Sequence, residues 1–177
     1  VTRGDDVPGG VTADHVPFML DAERGTHGTL LCHVARANPV WQRVAAAPDV
    51  SSLVVFQGAD AYISPSWYPS KREHGKVVPT WNYATVHVLG PARVVDDAAW
   101  LHALVATLTT THESPRAQPW AVSDAPADYV EGMLRAIVGI EIPLTRLLGK
   151  WKVSQNRVAA DREGVVRGLR ERDAAGD

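Results

Sequence analysis

Three short stretches carry most of the side chains able to do chemistry. "SPSWYPSK" sets the hydroxyls of Ser64, Ser66 and Ser70 and the ammonium of Lys71 beside Trp67 and Tyr68. Hydroxyl and ammonium groups hold a phosphate or carboxylate, and a flat aromatic faces a planar ring. In "PTWNYATVH", strand alternation puts Thr80, Asn82 and Ala84 on one face, and Trp81, Tyr83 and His87 on the other. "GKWKVSQNR" alternates Lys150, Lys152, Ser154 and Asn156 with Trp151, Val153 and Gln155. Its cationic face suits a phosphate, with Arg157 assisting. Each stretch also has a purely structural reading. Tyr and Trp are enriched in cores and subunit interfaces, and lysines on an edge strand block aggregation.

Metal and nucleophile chemistry find less support. The seven histidines are scattered, without HExxH or a Cys/His cluster. His15, His33 and His87 fall in predicted strands, where a lone imidazole is more often a satisfied core or surface residue. His33 differs, because it shares a face with Leu31 and Ala35. A neutral imidazole on an apolar face can serve as an axial haem ligand. There is no GxSxG elbow, and Cys32 lies in an apolar strand, where a thiol is inert. Asp96 and Asp97 suit a helix N-terminus, where negative charge favours the dipole. The absence of GxGxxG and GxxxxGK[ST] argues against dinucleotide and ATP binding.

The elements that must position these residues follow from periodicity. "GDDVPGG" reads as a hairpin turn and "VTADHVPFML" as an extended segment. "GTLLCHVAR" reads as a strand with Leu30, Cys32, Val34 and Arg36 on the face opposite His33. "NPVWQRVAAA" predicts a short helix capped by Asn38, with Pro39 in its first turn. "SSLVVFQGADAYIS" predicts a strand bent at Gly58. Pro65 and Pro69 exclude a regular central strand, so "SPSWYPSK" is expected to be an irregular loop leaving a strand at Tyr62–Ile63. "VVPTWNYATVHVLG" and "ARVVDD" read as further strands.

The period then changes. Trp100, Leu101, Leu104, Val105 and Leu108 make a helical stripe. Tyr129, Val130, Met133, Leu134 and Ile137 make another, with Pro126 in its first turn. "IEIPLTRLLGKWKVSQ" reads as extended, and "AADREGVVRGLRER" as a closing basic helix. Strands first, helices next and a returning strand imply an antiparallel sheet or small barrel with helices outside it.

The 177 residues suit one domain, and a net charge of −2 supplies no overall field for nucleic acid or membrane. No apolar run approaches a bilayer span. A single cysteine excludes an intrachain disulfide and fits a reducing, cytoplasmic setting. The first residues lack the hydrophobic centre of a signal peptide. The chain opens without Met and almost inside a strand, so a preceding N-terminal segment is expected.

"AYISPSWYPSK", "VVPTWNYATVHVLG", "HVARANPVW", "IVGIEIP" and "GKWKVSQNR" together resemble the PaiB family, the FMN-binding negative transcriptional regulators. The resemblance runs from about Ala13 to Leu169. It implies an α+β fold, mainly β with added α-helices: an antiparallel Greek-key split β-barrel of the FMN-binding type. One domain over 1–177 is expected, with barrel strands at about 1–95 and 139–156 and peripheral helices at 96–138 and 157–172. Such barrels are typically homodimers with cofactors at the subunit interface.

Three functions follow from the resemblance: an FMN protein with a flavin-linked oxidoreductase role, a transcriptional repressor, and a haem enzyme. The haem reading resembles piperazate synthase, which closes an N–N bond in N-hydroxyornithine. FMN is placed ahead of haem b. Within the matching motifs, Ser64, Ser66, Lys71, Thr80, Asn82, Lys152 and Ser154 are the expected phosphate or ring-edge contacts. Trp67 and Trp81 are expected to wall the ring. Under haem, His33 is the expected axial ligand and metal-binding residue, with Lys71 and His87 as distal polar, catalytic groups. DNA binding rests only on the last helix, with Arg162, Arg167, Arg170 and Arg172, and a solvated helix face explains those arginines equally well.

Overall fold

The computed structural model describes residues 2–3 and 10–175. The predicted turn "GDDVPGG" falls largely outside them. The strands are β1 (Thr2–Arg3), β2 (Val11–Thr12), β3 (Met19–Asp21), β4 (Thr29–Ala35), β5 (Ser51–Ile63), β6 (Thr80–Pro91), β7 (Arg93–Val95), β8 (Ile137–Pro143) and β9 (Arg146–Lys152). The helices are α1 (Val40–Ala46), α2 (Ser70–His74), α3 (Ala98–Glu113), α4 (Ala127–Arg135) and α5 (Ala159–Ala175), with 3-10 turns at Pro65–Trp67 and Val122–Asp124. β1 pairs with β2, and two larger sheets run β3-β4-β8-β7 and β5-β6-β9. The fold class is α+β, with antiparallel sheets and added helices, as the sequence led us to expect. None of the helices described is long and apolar enough to cross a membrane.

The chain separates into two compact units, residues 1–54 with 88–147, and residues 55–87 with 148–177. In the first unit, β4 and β8 pair antiparallel, with Cys32 opposite Ile140 and His33 opposite Gly139. The alternation predicted for β4 holds. Leu30, Cys32 and Val34 enter a core with Val40 and Val44 of α1 and Ile140 and Ile142 of β8. Each such aliphatic side chain contributes about 1.5–3 kcal/mol by leaving water. The opposite face of β4 is covered as well, because α3 packs on β4 and β8, and α4 on β8. Leu31 is therefore buried and His33 half-buried.

Gly139 makes the helix packing possible, since a Cβ there would lie within the indole ring of Trp100. Asp97 caps α3 by accepting the Trp100 N–H at 2.7 Å. Its neighbour Asp96 instead forms a two-pronged pair with Arg36, at 3.0 and 2.6 Å. α1 begins one residue later than expected, with Pro39 and not Asn38 at its N-cap. The Val40 N–H donates to Asn38 Oδ1 at 2.9 Å, with Pro39 at the helix entry.

The second unit has a smaller core of Ile63, Tyr68 and Val165, with Trp67, Val77 and Leu169 against it. Phe56 meets Thr85, Gly58 lies on Ala84 and Tyr62 adjoins Trp81, so β5 and β6 run antiparallel.

Several elements depart from the sequence reading. β5 continues through Gly58, whose missing side chain accommodates Ala84. "SPSWYPSK" forms a 3-10 turn and the start of α2. Its prolines break β-ladder pairing but suit first helical turns, where no N–H is needed. β6 begins only at Thr80, after Pro79. "IEIPLTRLLGKWKVSQ" is two strands parted at Leu144–Thr145, where Thr145 bonds Leu89 through both its N–H and its hydroxyl. Ile137 belongs to β8 and not to the preceding helix, so the helical region closes at Arg135 and strand structure resumes at 137.

Candidate functional site

In the second unit, β6 and β9 bring together four of the expected contacts. Lys152 Nζ donates to Thr80 Oγ1 at 2.8 Å. The Asn82 amide and the Ser154 hydroxyl face each other at 3.1 Å, with Asn82 Nδ2 as donor to Ser154 Oγ and Oδ1 as acceptor from it. Both residues are buried. Lys150 and Lys152 also stand over the Tyr83 ring, at 5.7 and 5.9 Å from its centroid. Lys152 thus reaches Thr80 and Tyr83, which strand alternation assigns to opposite faces. Thr80 is the first residue of β6, before the ladder constrains side-chain direction.

Ser154 has a φ of 61°, the one left-handed non-glycine residue among those described. That geometry costs about 1–2 kcal/mol for an L-residue. It is held by the Asn82 contact and by the Arg157 N–H, which donates to the Ser154 carbonyl at 3.0 Å. Non-glycine residues forced into this region cluster at functional sites.

A second group lies along the 3-10 turn, α2 and α5. Ser64 Oγ accepts the Ser66 N–H at 3.2 Å, and Lys71 Nζ reaches Ser66 Oγ at 3.4 Å. A cavity of about 440 Å³ is lined by Ser66, Trp67, Lys71, Arg72 and Arg167, among others. Trp67 lines this cavity and is also seated on α5. Its indole packs on Gly168 and its carbonyl on Gly164, and a Cβ at either glycine would overlap it. Asp161 is buried and accepts from Ser70 Oγ at 2.7 Å and from Ser70 N at 3.1 Å, tying α2 to α5. Arg157 lies 4.8 Å over the ring of the buried Tyr68.

Sequence reasoning missed Tyr83 as the lysine platform, and the Ser70–Asp161 tie. It also missed the Gly164–Gly168 seat, although two glycines four apart on a helix mark a face open to close approach.

The remaining expected residues are placed separately. Trp81 is exposed, tilted 58° against Tyr62 at 6.2 Å, and its Nε1–H donates to Asp60 at 3.1 Å. His87 is half-buried on β6. His33 lies in the first unit, where its Nδ1 is buried and makes no hydrogen bond. Burial also lowers its pKa below the ordinary imidazole value. Burial pushes the Cys32 thiol up to about 12, so it is an inert core group. No group of three or more His, Cys, Asp or Glu able to hold a metal ion occurs among the described residues.

The chain thus combines antiparallel sheets and added helices with a cationic, hydroxyl-bearing strand pair in its second unit. The family model described as "Putative FMN-binding domain" matches residues 1–146, and the chain belongs to that family. An uncharacterized protein of Emericella nidulans is 34% identical over 188 residues, which cover 90% of this chain and 75% of that protein. "Protease synthase and sporulation protein PAI 2" of Bacillus subtilis is 34% identical over 161 residues, 91% of this chain and 73% of that one, in agreement with the PaiB resemblance. Among solved structures, the flavocytochrome Anf3 of Azotobacter vinelandii matches at 13% identity with a TM-score of 0.42, covering 70% of this chain. This chain spans 50% of that protein's length.

Proposed function

We propose that the protein binds FMN through its second unit and works as a flavin-linked oxidoreductase. The observation that carries the reading is the Lys152–Thr80 bond beside Lys150, with both lysines over Tyr83. Two ammonium groups and a hydroxyl fixed together make a receptor for a phosphate. Asn82 and Ser154 hold the backbone beneath them. Tyr62 and Trp81 offer exposed ring faces to a planar group. When bound, FMN supplies the redox chemistry, and the protein supplies orientation and charge.

Homodimer formation belongs to the same reading. Phe56, Tyr62, Trp81, Trp151 and Val153 are all exposed on or beside the strands of the second unit. Aromatic residues in such numbers at a surface favour an interface.

Haem is the second reading, favoured by the unpartnered imidazole of His33. Two observations rank it lower. A metal-bound histidine normally donates its other ring N–H to an acceptor, and His33 Nδ1 has none. The cavity that His33 lines, about 200 Å³, is smaller than the ~300–1,000 Å³ of sites for drug-sized ligands. A repressor role draws on α5 alone, where acidic Glu163 and Glu171 interrupt the arginines.

The visible spectrum of the purified protein after incubation with FMN and with haem tests the assignment. Paired flavin bands that persist through gel filtration are expected. A Soret band with no flavin retained would move the assignment to haem, and a colourless protein would remove both.

A further inference from the structure

The first unit holds a cavity that the flavin reading does not use. It measures about 200 Å³ and lies among α3, α4, the 3-10 turn between them, and the paired ends of β4 and β8. His33, His102, Trp120, Tyr129, Met133 and Leu134 are among its lining residues. Three of these large side chains stay in water to an unusual degree: Trp120 at 48%, Tyr129 at 60% and Met133 at 50% exposure. The periodicity of α3 and α4 predicts helical stripes that bury themselves completely. Here the stripes of both helices open on the same hollow.

His33 gives the hollow a direction. Its Nδ1 is buried without a partner, and His33 is one of the cavity's lining residues. A neutral imidazole carries one proton. On Nδ1 that proton would be a buried, unpaired donor, and orphaned donors are the rarer defect in folded proteins. On Nε2 it is a donor available to whatever fills the cavity. The desolvation that lowers the His33 pKa keeps the ring in this neutral form.

Size sets the rest. A cavity of ~150 Å³ lined by aliphatic and aromatic side chains takes up benzene, so about 200 Å³ admits one substituted ring. We infer that this cavity binds a small apolar compound of a single ring bearing one carbonyl oxygen, which accepts a hydrogen bond from His33 Nε2.

The chain has two methionines, Met19 and Met133, and only Met133 lines the cavity. Methyl-labelled methionine therefore gives two NMR signals, one of them a reporter. The full chain is titrated with acetophenone, and separately with toluene, which matches the ring but has no acceptor. Saturable shifts of the Met133 methyl, with Met19 unmoved, are expected. Acetophenone should bind about tenfold more tightly than toluene, as one hydrogen bond allows.

His33→Phe should abolish that preference while leaving toluene binding in place. Ala125→Phe, which fills the cavity from its wall, should abolish both and serves if the first variant does not fold. Equal affinity for the two probes in the wild type would overturn the proposal. So would an absence of saturable shifts, undiminished binding by Ala125→Phe, or competition by FMN for the same signal.

Discussion

Asn82 and Ser154 stand 72 positions apart in the chain and meet as a buried amide–hydroxyl pair at 3.1 Å. The pair fixes Ser154 in a left-handed backbone conformation two residues after Lys152, the last residue of β9. Removing the amide leaves a buried hydroxyl unpaired, which costs about 1–3 kcal/mol. Asn82→Leu should therefore lower the urea midpoint of the cofactor-free protein. Ser154→Gly should cost less, because glycine accepts φ of 61° without strain. If Ser154→Gly proves the more damaging of the two, the pair is not the element that holds this turn.

Flavin affinity should follow the lysines. Lys152→Met removes a charge-assisted hydrogen bond worth about 1.5–3 kcal/mol, so FMN should bind roughly 10–100-fold more weakly. Lys150→Met should have a smaller effect, since its ammonium stands over the Tyr83 ring, whereas that of Lys152 also bonds Thr80. Quenching of flavin fluorescence reads both. Unchanged affinity in Lys152→Met would place the phosphate elsewhere.

Trp67 and α5 should respond sharply to one methyl group. Gly168→Ala puts a Cβ into the indole. The roughly 1 kcal/mol gain in helix propensity is then outweighed by about 1–3 kcal/mol of overpacking. A lower melting temperature and a changed tryptophan emission are expected. A stabilised variant with unchanged emission would show that the seat is looser than the structure has it.

A half-buried imidazole and a buried thiol should shape stability against pH. The folded His33 pKa is lowered, so as pH falls below the ordinary value of about 6.5 the unfolded chain takes up a proton that the folded chain resists. Its contribution is intact above that pH and declines through the acid window below it. Burial raises the Cys32 thiol from an ordinary 9.0 to about 12, so above pH 9.0 the unfolded chain ionises first. Stability then falls with rising pH, with a slope of up to about 1.4 kcal/mol per unit. Urea midpoints of His33→Phe and Cys32→Ala should lose these acid and alkaline slopes respectively. In the native state, Cys32 should react with thiol reagents only at the rate of unfolding.

The exposed aromatic surface predicts self-association. Trp151 is 70% exposed at the end of β9. Trp151→Glu should leave the fold intact by circular dichroism and halve the mass seen by sedimentation. A wild type that sediments as a monomer at every concentration would rule out the homodimer.

Much was decided by local chemistry that the sequence displays openly. The alternation in "GTLLCHVAR" put Cys32 and His33 on opposite faces of the strand, because the strand period is 2; which of the two faced the core came from the fold. Asp96 and Asp97 were legible as a helix N-terminus, though not which of them caps it, and the PaiB motifs carried the family. Even the lysines of "GKWKVSQNR" marked themselves as a cationic strand face.

What sequence could not decide were relationships that cross the chain. Pro65 and Pro69 forbid a strand, but whether they open a loop or a helix depends on the seat that Gly164 and Gly168 offer Trp67 from nearly 100 positions away. Alternation cannot say that Lys152 turns to Thr80, or that Asn82 finds Ser154. Nor does a helical stripe reveal that Tyr129 and Met133 stay exposed around a hollow beside His33. Periodicity fixes which face a side chain takes, since backbone geometry is local. Which partner meets it there is set by long-range packing, and only the tertiary structure supplies that.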